Sequence, residues 1–143
     1  MGTDFTDGIA HQLRRASQSA TTFWQLQGRD LTAPQFSVLA ALTEYGAQDQ
    51  TSLGKLTSID KSTLATLVDR LSDRGLIDKT TDPANRRRRR IQLTDAGRDR
   101  CARAYAQAAA TEQWITDVLG DTDARQLRTL LQKLGDAQPP TRS

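Results

Sequence analysis

Cysteine and histidine occur once each in this chain, as Cys101 and His11. A disulfide within the chain is thereby excluded, and so is a zinc site of Cys and His ligands, which needs several of these side chains. Serine-type catalysis would have to rely on His11 in a terminal helix. No phosphate-cradling glycine loop, dinucleotide-type glycine fingerprint, nucleophile elbow or His-Glu metal helix occurs either, so neither an enzyme nor a cofactor is expected. No run approaches the roughly 20 apolar residues of a membrane span, and the N-terminus lacks the basic and then apolar order of a secretory signal. The expectation is a soluble, cytoplasmic protein. With 143 residues, 36% of them apolar, the chain has the size of about one domain with a thin core.

Positive charge is present but unevenly spread. The formal net charge is only +3, whereas residues 61–103 hold twelve Lys/Arg against six Asp and the rest of the chain is net acidic. Five of those cations are consecutive, Arg86 to Arg90. A basic block in a tail is ordinarily solvated, but these arginines lie between the alternating segments 77–81 and 91–94, which carry core-type residues and tie the charge to a folded scaffold. Local basicity of this kind is what a nucleic-acid face requires, because neutralised phosphates release condensed counterions.

The apolar spacing orders the elements. Ile9, Leu13, Ala16, Ala20, Phe23 and Trp24 make the stripe of a helix over about Thr6 to Gln27, ending near Gly28. Thr32 is placed to cap a second helix with Pro34 in its first turn, facing Phe36, Leu39, Ala40 and Leu42 inward and closing at Gly46. Thr51 is expected to cap a short third helix, 52–58, with Leu53 and Leu56 inward. After a turn at Ile59, Asp60 caps a fourth over Lys61 to Arg74, and two short helices so tightly joined suggest a helix-turn-helix. In the fourth, Leu64, Leu67, Val68 and Leu71 share the buried face, while Ser62, Thr66, Asp69 and Asp73 lie opposite. Gly75 ends it. Leu76-Ile77 and Ile91-Gln92-Leu93 are expected to pair as a small ribbon whose turn begins at Asp82-Pro83. Thr94 caps a long helix to about Leu119, broken by Gly120, and a last helix runs from Asp123 to Leu134. The end of the chain, with Pro139-Pro140, reads as a loose tail.

Short polar side chains near a helix N-terminus suit the edges of bases in a major groove, which describes Ser62, Thr63 and Thr66; Lys61 and Arg70 suit phosphates. Taken alone, the same pattern describes a solvated helix face. The hairpin adds weight, because arginine is the side chain that enters a narrow minor groove. Arg86 to Arg88, near the turn, are expected there, and Arg89 and Arg90 at phosphates or acids. Asp69 and Asp73 are read as orienting an arginine, such as Arg70 or one of the wing, the alternative being a hydrogen bond accepted from cytosine N4.

The runs Ser62-Thr63-Leu64-Ala65-Thr66-Leu67-Val68-Asp69-Arg70-Leu71, Arg74-Gly75-Leu76-Ile77, Asp82-Pro83-Ala84-Asn85-Arg86-Arg87 and Leu93-Thr94-Asp95-Ala96-Gly97-Arg98, with Leu31-Thr32-Ala33-Pro34-Gln35-Phe36 before them, closely resemble the MarR family of winged helix-turn-helix transcription regulators. The resemblance implies a mainly α fold with a two-stranded wing and long N- and C-terminal dimerisation helices. It divides the chain into a dimerisation helix (1–30), a DNA-binding lobe (31–98), C-terminal dimerisation helices (99–136) and a flexible tail (137–143). It also implies a homodimer that binds a pseudo-palindromic double-stranded operator, as a repressor released by a small ligand. Apolar stripes over 1–27 and 99–134 point to a partner chain independently. Arg86 and Arg87 match the family's wing positions; Arg88 is an addition from its place in the run. Where the family often has a bracing Asp, this chain has Asn85. For a small aromatic or phenolic acid, His11, Arg15, Trp24, Phe36 and Tyr45 are the candidate residues. The alternatives are a non-specific architectural DNA binder, or a redox-sensing regulator acting through Cys101, beside Arg98, Arg100 and Arg103.

Overall fold

Caps and apolar steps place the elements that a computed structural model describes over residues 4–140. Residues 1–3 of the N-terminal segment and 141–143 of the expected tail lie outside the described residues. A 3-10 turn, Phe5–Asp7, precedes α1 (Ile9–Gln27). There follow α2 (Ala33–Tyr45), α3 (Gln50–Thr57), α4 (Lys61–Asp73), β1 (Ile77–Asp82), β2 (Asn85–Leu93), α5 (Asp95–Leu119) and α6 (Asp121–Asp136). This is the expected mainly α winged helix-turn-helix. Two compact units divide it within α5, one up to Ala108 and the other from Ala109.

In the first unit α2 is central. Thr32 and Gln35 cap it reciprocally, the Thr32 hydroxyl accepting from the Gln35 amide at 3.2 Å and the Gln35 side chain from the Thr32 amide at 3.0 Å, so that two free donors of the first turn are satisfied at once. Val38, Leu39, Ala41 and Leu42 are buried while Phe36 and Ala40 are only half-buried. The expected inward face was therefore too narrow, because α2 is covered on more than one side. Leu31 before α2, Leu53 of α3, Leu64, Leu67, Val68 and Leu71 of α4, Leu76 after it, Ile77 of β1, Ile91 and Leu93 of β2, and Cys101 and Ala104 of α5 complete the core. Burying each large aliphatic side chain contributes about 1.5–3 kcal/mol.

Two boundaries differ from expectation for reasons of capping. Asp49, not Thr51, caps α3, its carboxylate accepting from the Ser52 amide at 2.7 Å; an aspartate competes well for this role and starts the helix two residues earlier. Leu53 is buried as expected, but Leu56 is 42% exposed instead of inward. Ser58, at φ 56°, makes the left-handed turn that leads to α4. The wing is also longer than the apolar alternation indicated. All five arginines lie in β2, and the turn is Pro83-Ala84 between the paired Asp82 and Asn85.

In the second unit the last part of α5 packs on α6, with Glu112 and Arg128 paired at 3.5 Å. Gly120, at φ 85°, allows the reversal, and α6 begins two residues before the expected Asp123. Among its described residues Leu127, Leu130, Leu131 and Leu134 are all exposed.

The junction of wing and α5 is tightly set. Thr94 donates its hydroxyl to the Gly75 carbonyl at 2.6 Å and accepts from the Gly97 amide at 3.0 Å, which is the cap expected of it. A Cβ on Gly97 would stand 1.9 Å from the Leu76 carbonyl oxygen. The obstacle is backbone, which cannot turn aside as a side chain can. Gly97→Ala should therefore lose at least about 2 kcal/mol of stability, measured by urea unfolding; a midpoint equal to that of the parent protein would show that the junction opens freely.

Candidate nucleic-acid interface

The helix that carries the polar face is held from behind and capped in front. Leu64, Leu67, Val68 and Leu71 bury one side of α4, which leaves Lys61, Ser62, Thr63, Thr66, Asp69 and Arg70 exposed. Asp60 accepts from the Thr63 amide and the Ser62 hydroxyl, both at 3.0 Å. These hydrogen bonds, those of Thr63 foremost, hold its carboxyl below the usual carboxylate range. The Thr66 hydroxyl donates to the Ser62 carbonyl at 3.3 Å and keeps lone pairs free to accept. Asp69 is paired with Lys79 of β1, a lysine in place of the arginine expected. Sequence reasoning missed Lys79, since the contact joins a helix and a strand ten residues apart, and the acid on the exposed face is thereby neutralised.

The wing does not pair evenly. Its register runs from Ile77 opposite Leu93 to Thr81 opposite Arg89, then steps to Asp82 opposite Asn85, so Arg86, Arg87 and Arg88 have no opposite partner on β1. Extra residues on one strand bend it and re-aim its side chains. Asn85 accepts from the Arg87 amide at 3.1 Å, a local hydrogen bond in place of a charged brace. Arg88 is not free: its guanidinium lies 3.0 Å from the Asp49 carboxylate. Arg90 donates to the Ala47 carbonyl at 3.5 Å. Among the described residues the side chains of Arg86, Arg87 and Arg89 have no such partner. The face of α4 and this bulge together present cations and short hydrogen-bonding groups, the chemistry of phosphate and base-edge recognition.

A second ionic cluster lies at the other end of α4. Asp30, in the turn after α1, accepts from Arg100 of α5 at 2.9 Å and from Arg74 at 3.0 Å, and Arg74 also donates to the Asp30 carbonyl at 2.8 Å. The Arg100 hydrogen bond, with the charge of Arg74, holds the Asp30 carboxyl below its ordinary value. Sequence spacing gave no signal for it, as the three residues are far apart along the chain.

Of the five ligand candidates, Trp24 and Phe36 come together in this chain, while His11, Arg15 and Tyr45 lie apart from them. Trp24 is buried and spends its indole N–H on the Leu31 carbonyl at 2.7 Å. Its ring lies 5.5 Å from Phe36, and Phe36 lies 5.1 Å, edge to face, from Tyr105, a member that sequence reasoning did not name. Arg15 donates to Gln12 at 2.9 Å and His11 packs edge-on against Phe5. Nine helical residues separate Arg15 from Trp24, about 13 Å of rise, and its side chain leans toward the N-terminus, away from the aromatic group. Tyr45 is exposed. Cys101 is 1% exposed, and burial pushes its thiol up against the hydrogen bonds of Thr43 and Tyr105. Both effects oppose the accessible thiolate that a sensor needs, so the nearby arginines do not activate it.

Comparison with known proteins agrees with this arrangement. A sequence model described as the MarR family matches residues 31–88. The chain is 32% identical to the transcriptional regulator HosA of Escherichia coli O111:H-, over 89% of this chain and 94% of that protein. It is 38% identical to the HTH-type transcriptional repressor NicR of Pseudomonas putida over 66% of this chain, a match that spans only 61% of NicR. Among solved structures, Bordetella bronchiseptica BpsR, described for regulation of its DNA binding by 6-hydroxynicotinic acid, superposes with a TM-score of 0.91 at 32% identity, covering 96% of this chain and 100% of that one.

The Asp30 cluster makes a pH-dependent contribution of known sign. Its folded-state pKa is depressed, so its stabilisation is present above the ordinary carboxylate range and is lost as the pH falls through the depressed value. Asp30→Asn should melt lower than the parent at neutral pH and lose less on going from about pH 5 to about pH 2, as thermal unfolding followed by circular dichroism will show. Parallel pH curves would remove Asp30 from the acid response.

Proposed function

The chain belongs to the MarR family of transcription regulators, and on that premise we propose that it is a homodimeric repressor that reads a pseudo-palindromic operator and releases it on binding a small aromatic acid. The observation that carries this reading is the exposed row Ser62, Thr63, Thr66 and Arg70 on a helix whose other face is buried. A helix so presented fits a major groove, with Thr63 and Thr66 reaching base edges and Lys61 and Arg70 taking phosphates. Arg86 and Arg87, in the bulge of the wing, enter the adjoining minor groove, where the negative potential is greatest.

Dimerisation is supported by apolar surface that the chain leaves uncovered. Ile9 is 81% exposed and Leu130 59%, and both lie on regular apolar stripes of the terminal helices. A two-fold pairing of residues 1–30 and 99–136 would bury them and set two α4 helices about one duplex turn apart. For the effector, the regulation of BpsR's DNA binding by 6-hydroxynicotinic acid supports a ring acid of the hydroxynicotinate type, and Phe36 and Tyr105 offer the ring-binding wall. The ligand releases DNA only if it prefers the geometry that does not bind, since equal affinity for both shifts nothing.

Selection of bound fragments from genomic DNA at fixed salt, followed by sequencing, tests the reading. A palindrome with half-sites about one turn apart, preferred over random duplex by about 10³-fold or more, is expected; fragments without a common motif would leave only a general DNA binder. On the selected duplex, Thr66→Ala should lose about 1–3 kcal/mol of discrimination at one base pair and little on random DNA. Arg87→Ala should weaken binding to both and lower the salt slope by about one. Interchanged behaviour would assign these residues the other way round.

A further inference from the structure

Of the five arginines, Arg88 has a partner that the wing itself does not provide. The segment Ala47 to Asp49, between α2 and α3, runs beside the end of β2. Gln48 and Ile91 exchange backbone hydrogen bonds at 3.0 and 2.7 Å, Arg90 reaches the Ala47 carbonyl, and Arg88 meets Asp49 at 3.0 Å. Asp49 is held at both oxygens: Oδ1 caps α3 at the Ser52 amide and Oδ2 takes Arg88. Its side chain is 20% exposed, against 63% for Arg88. The stretch of β2 that carries Arg86, Arg87 and Arg88 has no opposite residues on β1, and Asn85 supplies no charge. Pairing with β1 therefore does not hold the bulge, and Asp49 is the group that reaches it from outside the hairpin.

The charge at this place makes the arrangement informative. The groove between α3 and β2 is lined by Lys55, Arg87, Arg88 and Arg89 together with Gln50, Thr51 and Ser52, and Asp49 is the one carboxylate in that lining. A carboxylate in a phosphate-binding groove opposes binding by its charge alone. Capping α3 is a task that an uncharged Asn or Ser would serve as well, and the charge that Asp49 adds is the one that meets Arg88.

We propose that Asp49 and Arg88 form a brace that fixes the arginine bulge of the wing against α3. Arg88 is then a positioning residue for Arg86 and Arg87, and neither a groove nor a phosphate ligand. The inference rests on the DNA-binding reading above for its consequence, though not for its geometry. It adds a support in the segment between α2 and α3 to the contact of Lys79 with α4. Two ion pairs then join the wing to its neighbours, Lys79 to Asp69 of α4 and Arg88 to Asp49 at the start of α3.

The test uses the full chain with Asp49→Asn, Arg88→Gln and the double variant. Asparagine is as good an N-cap as aspartate, so α3 is preserved while the charge is removed. Without DNA, amide hydrogen exchange over residues 86–91 should quicken by about two- to fivefold in either single variant and no further in the double, the range for an exposed ion pair. Unchanged exchange would overturn the brace. On the duplex obtained by selection, Asp49→Asn should weaken binding by a similar factor although it adds net positive charge. Arg88→Gln should match it, the double variant should be no worse, and the salt slope should stay the same. Tighter binding by Asp49→Asn, with a slope reduced by about 0.9 in Arg88→Gln, identifies Arg88 as a phosphate ligand and overturns the proposal. If selection returns no preferred duplex, the DNA reading fails while the exchange rates still decide the brace.

Discussion

Ile91 is the point from which the charged strand is held. Five consecutive guanidinium groups repel one another, each neighbouring pair by roughly a few tenths of a kcal/mol after screening. Left to itself, such a segment stays solvated and extended. Here the next residue is 2% exposed, pairs with Lys79 on one side and exchanges two hydrogen bonds with Gln48 on the other. Burial of Ile91 and Leu93 at about 1.5–3 kcal/mol each outweighs the repulsion. The arginines are thus carried on a strand whose root is core, and Arg86, Arg87 and Arg89 stand exposed at its far end.

The same division between root and reach applies to α4. Its four buried side chains belong to the core cluster of the first unit, its N-terminus is capped by Asp60 and its last residues are tied through Arg74 to Asp30. The exposed row is consequently fixed in direction without any of its members being needed for packing. Side chains on a surface of that kind can be exchanged at small cost to the fold. Asp30 also joins α5 to the end of α4, so the turn after α1 touches the two elements that flank the wing. The aromatic contact of Trp24, Phe36 and Tyr105 links α1, α2 and α5 nearby.

Caps and stripes made most of the fold legible beforehand, because Thr32, Asp60 and Thr94 act within three residues of themselves and Leu64, Leu67, Val68 and Leu71 repeat with the helix. Where two residues competed for one local role, the reading went astray. Thr51 and Asp49 both suit an N-cap, and the aspartate takes the role with both of its oxygens engaged, Oδ1 by the Ser52 amide and Oδ2 by the distant Arg88. The length of β2 was hidden for a related reason: a run of identical charges has no alternation, although it forms a strand once its root is anchored.

The sequence by itself determined the order and type of the elements, the concentration of positive charge and the polar face of α4, since each depends on spacing along a few turns or on composition. Tertiary structure alone decided how the cations are distributed among their tasks. Lys79 neutralises Asp69, Arg74 and Arg100 converge on Asp30, and Arg88 is drawn to Asp49 while Arg86, Arg87 and Arg89 remain outward. An ion pair needs its partners within a few ångströms in space, and no periodicity in the chain encodes which distant carboxylate will stand there.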